Sequence, residues 1–494
     1  DEKGNLSYEE MENAVRENTK AIVCTHASNV TGDGNDIAQI GTLCEKYNLY
    51  FILDASQTAG TAGINMEQDH ISAICFTGHK GLFGPQGTGG IALADGVCVK
   101  PLLSGGSGVH SFERKHPMEL PAALEAGTLN GHGIAGLHAA LDWIKKTGIA
   151  AIHEKEMALA EQFQRGIETI PGIHLYGGEK RVAAIVSCNL ADLDSAYVSD
   201  CLAEDYGIAT RAGVHCAPLM HTHFGTEKQG MVRFSFSCFN TTEEVEKAVR
   251  AMQDIAAENR GKVTAYVGAG GKTSSIRKRA ETLRAEGKRV LILTTTKMMV
   301  PQEQEIFAAY EQTGQESVIS ATASVWQERR AAEKQLKERV QSVLDTYGCC
   351  VAGSLIPGTE KFGMLPEKLM EDLLYLADEI LIEADGSAHM PVKAPAEHEP
   401  VLFPYMDEVV IVMGAHAIGK PLQKVCHRVD YAKKILKCDA DKIVTAADIR
   451  ALAEQGYAIP IQKQFPWMKI SKVTGKDIKL CLTAEKKDKV RDKQ

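Results

Sequence analysis

The residues of the first half that could do chemistry fall into four groups. The segment FTGHKGLFGPQGTGG (76–90) places Lys80 after an apolar run and before a loop with glycines at 81, 84, 87, 89 and 90. An amine held in a Gly-rich, backbone-lined pocket is what condensation with an aldehyde needs. Thr77 and His79 beside it are donors suited to phosphate oxygens. LYFILDAS (49–56) ends in Asp54, with Gln57 three residues on. Ligands of open α/β sheets collect at the carboxyl ends of strands, and a carboxylate there can pair with a protonated ring nitrogen. Taken alone, Asp54 would be read as a cap on the next helix. In RAGVHCAPLMH (211–221), Cys216 lies in a polar loop between Arg211 and His221, with His215 adjacent. Cationic neighbours raise the thiolate fraction of a cysteine, so this thiol is expected to be reactive. Arg233, in GMVRFSFSCFN, is a candidate fork for a substrate carboxylate.

The second half opens with VTAYVGAGGKTSS (263–275). An apolar run leads into Gly268, Gly270, Gly271, Lys272 and Thr273 and then into a helical pattern. Backbone N–H groups of such a turn, the helix N-terminus and one lysine together favour a phosphate. The strict G-x-x-x-x-G-K-[ST] pattern fails, because Tyr266 occupies its first position. RVLILTTTK ends in Thr294, Thr295, Thr296 and Lys297, and LIEADGS ends in Glu383 and Asp385. A carboxylate at such a strand end can hold Mg²⁺ directly or through water, and Asp385 is the residue singled out for it.

These groups need elements to carry them. AIVCTH (21–26), LYFILDAS, ISAICFTG (71–78) and GGIALA (89–94) read as short strands, with a helical pattern at 37–48. The rhythm argues for α/β layers with a largely parallel sheet. Two helices are predicted within 133–170 and another over 241–259, the latter capped by Asn240 or Thr241. NRGK (259–262) marks a break, after which βα alternation restarts. The predicted domains are residues 1–260 and 261–480, followed by a polar tail at 481–494.

Of 494 residues, 44% are hydrophobic and 24% charged, which excludes a disordered chain, a collagen and a coiled-coil rod. A formal net charge of −9 argues against non-specific nucleic-acid binding. There is no run of 18 apolar residues, so no membrane helix is expected. Thirteen scattered cysteines without a C-x-x-C fit neither a zinc nor a disulfide framework and point to a reducing cytoplasm. The chain opens DEKGNLSYEE, with no initiator Met and no secretory signal, and is expected to start part-way through a gene.

DASQTAG, FTGHKGLFGPQGTGG, EAGTLN, RAGVHCAP and VRFSFSCFN together resemble the class V aminotransferase superfamily, over residues 21 to about 255. The closer resemblance is to its cysteine desulfurase and selenocysteine lyase branch. The resemblance implies a fold-type I pyridoxal 5'-phosphate enzyme, usually a homodimer, acting on a small amino acid. It implies that Lys80 holds the cofactor as a Schiff base and that Asp54 keeps the pyridine nitrogen protonated. Gln57 and Asn29 would touch the ring hydroxyl region, and Thr77 and His79 the phosphate. Thr128, in EAGTLN, would reach the phosphate of the partner subunit's cofactor. Arg233, with Arg211, would bind the substrate carboxylate. Cys216 would attack the substrate sulfur or selenium, leaving a persulfide and alanine, with His215 or His221 in proton transfer. GVHCAPLMHTHFGT resembles a short-loop subgroup linked to selenium metabolism. Such enzymes begin with a section carrying a Gly/Thr phosphate loop and a ring-stacking His or aromatic. The first match here is AIVCTHASN (21–29), so the opening third is expected to be absent and cofactor binding to be weak or lost.

GAGGKTS, TTTKMMVP, EADGSAHMPVKAPAEHEPV and CHR (426–428) resemble the YqeC family over about 263–450. That family is associated with selenium-dependent molybdenum hydroxylases. It implies a nucleotide fold taking ATP or GTP with Mg²⁺, with Lys393, His398 and Glu399 lining the same cleft. The expected fold class is α/β: a truncated fold-type I PLP-transferase, with part of the large domain plus the C-terminal small domain, followed by a P-loop-like α/β nucleotide-binding domain. The expected function is removal of sulfur or selenium from a cysteine-type amino acid, coupled to maturation of a molybdenum hydroxylase. The alternative is a catalytically dead PLP domain carrying a nucleotide-binding accessory module. An aminotransferase proper is disfavoured by Cys216. Expected partners are a second copy and a sulfur or selenium acceptor protein or molybdenum hydroxylase, with no nucleic acid and no membrane.

Overall fold

The structure, a computed structural model, describes residues 3–108, 112–311 and 323–474. The expected polar tail lies outside the described residues. The chain divides into two compact units, one ending at Ile255 and the other starting at Ala256.

The first unit holds two sheets. In the first, β1 (Ala21–Thr25), β2 (Tyr50–Asp54) and β3 (Ala73–Thr77) run parallel. β4 (Gly89–Leu93) closes the order β1-β2-β3-β4 antiparallel to β3, so the predicted fourth strand exists but breaks the parallel pattern. After α1 (Tyr8–Asn13), the crossover from β1 to β2 is α2 (Ile37–Tyr47). It starts at Asp36, whose side chain accepts from the Gln39 N–H at 2.9 Å, and stops at Asn48 in the left-handed region. Its apolar face, Ile37, Ile40, Leu43 and Cys44, is buried, and Ile40 and Cys44 pack with Phe51, Leu53 and Ile71. Gly41 lies where the helix meets the 69–70 backbone: a Cβ there would stand 1.9 Å from the Asp69 carbonyl oxygen.

The predicted helical stretch 133–170 is α3 (Gly131–Thr147) and α4 (Ile149–Ile167), broken at Gly148 with φ 89°. α4 buries Ile152, Leu159, Phe163 and Ile167. Phe163 is fully buried, its ring 4.3 Å from that of Phe234. Phe234 belongs to the second sheet, the antiparallel β5 (Ile173–Tyr176), β6 (Ile185–Leu190) and β7 (Val232–Ser235). Burying one such aromatic stabilises by about 1.5–3 kcal/mol, so this contact is a main tie of sheet to helix. α5 (Ser195–Glu204), α6 (Pro218–Phe224) and α7 (Thr242–Asn259) complete the series.

The second unit is built on β8 (Lys262–Gly268), β9 (Val290–Thr294), β10 (Lys297–Met299), β11 (Phe307–Tyr310), β12 (Cys349–Leu355), β13 (Lys361–Gly363), β14 (Glu379–Glu383), β16 (Glu408–Met413) and β18 (Lys469–Thr474). Their order is β10-β13-β12-β9-β14-β8-β16-β18, with β11 also on β12. The strands from β12 to β18 in that order pair parallel. They are buried on both faces, which is why β8, β9, β14 and β16 are near-continuous apolar runs. β15 (Val392–Lys393) and β17 (Cys426–His427) pair separately. α8 (Lys272–Ala285) follows β8 directly. No helix among the described residues is long and apolar enough to cross a membrane.

Gly41→Ala should destabilise the first unit by about 1–3 kcal/mol, because overpacking against backbone outweighs alanine's better helix propensity. A lowered urea midpoint for that unit, followed by circular dichroism, checks it.

Candidate active site

The carboxyl ends of β1, β2 and β3 lie side by side, with Thr25 opposite Asp54 and Asp54 opposite Cys75. This is where a parallel sheet offers its binding edge. Asp54 ends β2, and its carboxylate accepts from the Ser56 N–H at 2.9 Å. Thr77 ends β3, with its hydroxyl buried and without a hydrogen-bond partner among the described residues. Lys80 follows three residues on, exposed, its ammonium forming no ion pair among the described residues. His79 is exposed beside it.

A cleft of about 380 Å³ lies next to this edge. Its lining includes Lys80, Cys216, Arg211, Arg233, Asn29, Gln57 and His215. Seven residues singled out from five separate segments thus share one cavity. Asp54, Thr77, His79 and Thr128 do not line it, and Thr128 is exposed.

The reactive loop is held by a specific set of bonds. Arg211 and Arg233 exchange backbone hydrogen bonds, Arg211 N–H to Arg233 C=O at 3.2 Å and Arg233 N–H to Arg211 C=O at 2.9 Å. The Arg233 guanidinium donates to the Asn29 carbonyl at 2.8 Å, while Asn29 Nδ2 donates to the His215 carbonyl at 2.6 Å. An Arg211 Nη donates to Cys216 Sγ at 3.5 Å. His215 and Cys216 both adopt left-handed backbone, φ 53° and 58°. Such non-glycine positions cost about 1–3 kcal/mol each and persist only where surroundings fix them.

His215 is buried, its Nε2 2.9 Å from the Arg211 carbonyl and its Nδ1 3.4 Å from His221 Nε2. A carbonyl only accepts, so His215 carries its proton on Nε2. His221 then donates to His215 Nδ1, and His221 Nδ1 accepts from the Thr226 hydroxyl at 2.8 Å. Burial above all pushes His215 down to about 4, and it also lowers His221, so both rings are neutral near pH 7. Each nitrogen of His215 is engaged in holding the loop.

The cleft is cationic. Burial, and then the neighbouring Arg211, lower Arg233 from the usual arginine range, and its Nε has no hydrogen-bond acceptor among the described residues. Two guanidiniums and an ammonium around one cavity favour an anionic ligand of carboxylate or phosphate type. Glu156 also lines the cleft and was not among the expected residues. It is 6% exposed, accepts from the Cys238 N–H at 3.0 Å and is pushed up to about 7 by burial. A signal for it existed: it falls at helical spacing between Ile152 and Leu159, on the apolar stripe of α4.

In the second unit, Gly268, Gly270 and Gly271 turn the chain from β8 into α8 with φ of 92°, 76° and 128°. Lys272 is 4% exposed, and its ammonium donates to the Gly268 carbonyl at 2.7 Å. Thr273 Oγ1 donates to Glu383 Oε2 at 2.8 Å. Both oxygens of Asp385 are engaged, one with Lys393, the other with the Gly268 N–H at 3.1 Å and the Tyr457 hydroxyl at 2.7 Å. Lys393 is fully buried and also meets Glu399 at 2.8 Å and the Gly386 carbonyl at 2.5 Å. Burial opposes the charge on Glu399, but hydrogen bonds from Lys393 and Arg428 outweigh it and hold the carboxyl at about 2. His398 is exposed. Tyr457 lies where the sequence offered nothing to match, from about 455 onward. There the chain forms further helix and the parallel edge strand β18.

The stability of the first unit should fall as pH drops from about 6.5 towards about 4. Unfolded His215 takes up a proton in that window, while the folded ring, held down by burial, resists it. Urea midpoints measured across this range should show a shallower dependence for His215→Gln, whose amide still donates to the Arg211 carbonyl.

The chain has known relatives. The class-V aminotransferase family model matches residues 1–248 and the YqeC protein model matches residues 264–430. A probable cysteine desulfurase of Methanothermobacter thermautotrophicus is 33% identical over 261 residues, 52% of this chain and 65% of that protein. A cysteine desulfurase of Shigella flexneri is 31% identical over 257 residues, 51% of this chain and 62% of that protein. Among solved structures, the apo cysteine desulfurase of Thermococcus onnurineus NA1 is similar at 30% identity and a TM-score of 0.49, covering 52% of this chain and 65% of that one. The chain therefore spans less than two thirds of the length of each of these proteins. With the family model matching half of its residues, this chain belongs to the class-V aminotransferase family.

Proposed function

We propose that the first unit removes sulfur or selenium from a cysteine-type amino acid. The observation that carries this reading is the meeting of Lys80, Cys216, Arg211 and Arg233 in one cleft. The residues present fit pyridoxal phosphate: a free amine, a strand-end carboxylate and a buried threonine hydroxyl without a partner among the described residues. Lys80 would hold it covalently, Asp54 its ring nitrogen, Gln57 and Asn29 its hydroxyl region, and Thr77 and His79 its phosphate. Bound there, the cofactor supplies an electron sink that weakens the substrate's bond from Cβ to the chalcogen.

Arg233, positioned by Asn29, forks the substrate carboxylate, with Arg211 beside it. The Cys216 thiolate takes the chalcogen. An S–S or S–Se bond forms, the Cβ–chalcogen bond breaks, and its electron pair stays on the carbon skeleton, which gains a proton and leaves as alanine. A thiol reductant or acceptor protein then removes the chalcogen from Cys216. His215, neutral and bonded at both nitrogens, holds the loop that presents the thiolate.

A homodimer is supported by the large apolar side chains exposed between residues 99 and 143, among them Leu102, Leu103, Phe112 and Leu129. Thr128 adjoins that stretch and would serve the partner subunit's cofactor. The second unit is read as a nucleotide-binding α/β fold taking ATP or GTP with Mg²⁺. The Gly268–Thr273 turn at the head of α8 supports it. The pairing of a chalcogen-mobilising unit with a YqeC-type unit supports a role in supplying sulfur or selenium to a molybdenum hydroxylase. Twelve free cysteines among the described residues suit the reducing cytoplasm.

Alanine and sulfide or selenide release from cysteine or selenocysteine, with a thiol reductant, tests this on the purified chain. Cys216→Ser should lower it by at least roughly 10³-fold. Lys80→Ala should abolish the visible absorbance band that appears on adding pyridoxal phosphate. Turnover unaffected by Cys216→Ser would overturn the reading.

A further inference from the structure

Lys272 is a buried cation that makes no direct ion pair among the described residues, although Glu383 and Asp385 act on it from beyond ion-pair distance. Its only hydrogen bond among the described residues is to the Gly268 carbonyl, and it forms no ion pair with a carboxylate there. It sits at the head of the 14-residue helix α8, where the backbone is itself partially positive. The N–H groups of Gly270 and Gly271 find no acceptor among the described residues. A Cβ on Gly268 would come within 2.2 Å of the Val412 carbonyl oxygen, and one on Gly270 within 2.4 Å of that of Pro391, yet Gly271 faces open space. Positive charge buried beside positive backbone is costly until an anion arrives. One face of the turn is walled by protein and the other is open to receive it.

Glu383 closes the other side. It ends β14 opposite Tyr266 and Thr294, and it is 8% exposed. Oε2 accepts from Thr273, while Oε1 accepts from no described residue. A hydroxyl and a carboxylate, both hard oxygen donors, thus stand beside the anion-binding turn. Mg²⁺ is usually held by one or two carboxylates, with phosphate and water oxygens filling its octahedron, so a two-residue protein contribution suffices. Asp385 offers no such opening. It is 1% exposed, and Lys393, Gly268 and Tyr457 take both its oxygens, so coordinating a cation would break the bonds that hold the turn.

We propose that Thr273 and Glu383 seat the divalent cation of a metal-chelated polyphosphate lying on the Gly268–Thr273 turn, and that Asp385 fixes the turn instead of binding metal. This rests on the nucleotide-binding reading of the second unit. Lys272 would meet the phosphates and Thr273 with Glu383 would hold the cation, while Lys393 pairs with Asp385.

Isothermal titration of ATP into the full chain, in EDTA and in excess Mg²⁺, tests the two levels separately. In the wild type, Mg²⁺ should tighten ATP binding by at least on the order of tenfold. In Glu383→Gln and Thr273→Val that gain should vanish. Binding in EDTA should persist, and in Glu383→Gln it should strengthen, because a negative charge near the phosphates is gone. Lys272→Ala should weaken binding in both media. Asp385→Asn should lower the unfolding midpoint of the second unit. Circular dichroism establishes that the Glu383 and Thr273 variants are folded. A Mg²⁺ gain that survives in both variants, or a wild type indifferent to Mg²⁺, overturns the cation seat while leaving nucleotide binding intact. No ATP binding by the wild type in either medium overturns the nucleotide reading and the seat with it.

Discussion

The bond from the Arg233 guanidinium to the Asn29 carbonyl, 2.8 Å long, ties two separately built parts of the first unit. Arg233 lies on β7 of the antiparallel sheet, and Asn29 follows β1 of the parallel one. The same asparagine donates its side chain to the carbonyl of His215, and Arg211 pairs backbone to backbone with Arg233. Four residues therefore fix the loop that carries Cys216 against the edge that carries Lys80. Without this knot, the two left-handed residues His215 and Cys216 would have no reason to hold their geometry.

Electrostatics gives that knot its chemical meaning. Burial keeps His215 and His221 neutral, so they act as hydrogen-bonding struts, while Arg211, Arg233 and Lys80 keep the charge that draws an anion. Glu156, pushed up to about 7 by burial, is partly protonated at neutral pH and so opposes that charge less than an exposed carboxylate would. The imidazole pair fixes shape, and the guanidiniums set the preference for ligand.

The second unit solves a similar problem by a different division of labour. Its buried charges are paired in depth: Lys393 with Asp385 and Glu399, and Glu399 again with Arg428. Lys272, on the turn, makes no direct ion pair among the described residues and donates only to the Gly268 carbonyl. Where a buried charge makes no direct ion pair, an incoming ion of opposite sign improves the balance.

Much of this was legible in the sequence. Apolar runs and their spacing marked the strands and α2, the glycines marked both turns, and the motifs named seven residues that line the cleft, while Asp54, Thr77, His79 and Thr128 fall outside its lining. Local chemistry determines those features: strand burial, helix caps and backbone turns depend on near neighbours. What only the tertiary structure decided depends on distant ones. Glu156 joins the cleft because α4 packs beside it, although as a lone glutamate it reads as surface. Asp385 and Glu383 stand two residues apart at one strand end, and in sequence Asp385 is the one singled out for Mg²⁺. Packing buries Asp385 under Tyr457 and Lys393 and leaves an oxygen of Glu383 open. Hydrogen-bond capacity is consumed by whatever folds against a group, and no local pattern records which partner that will be.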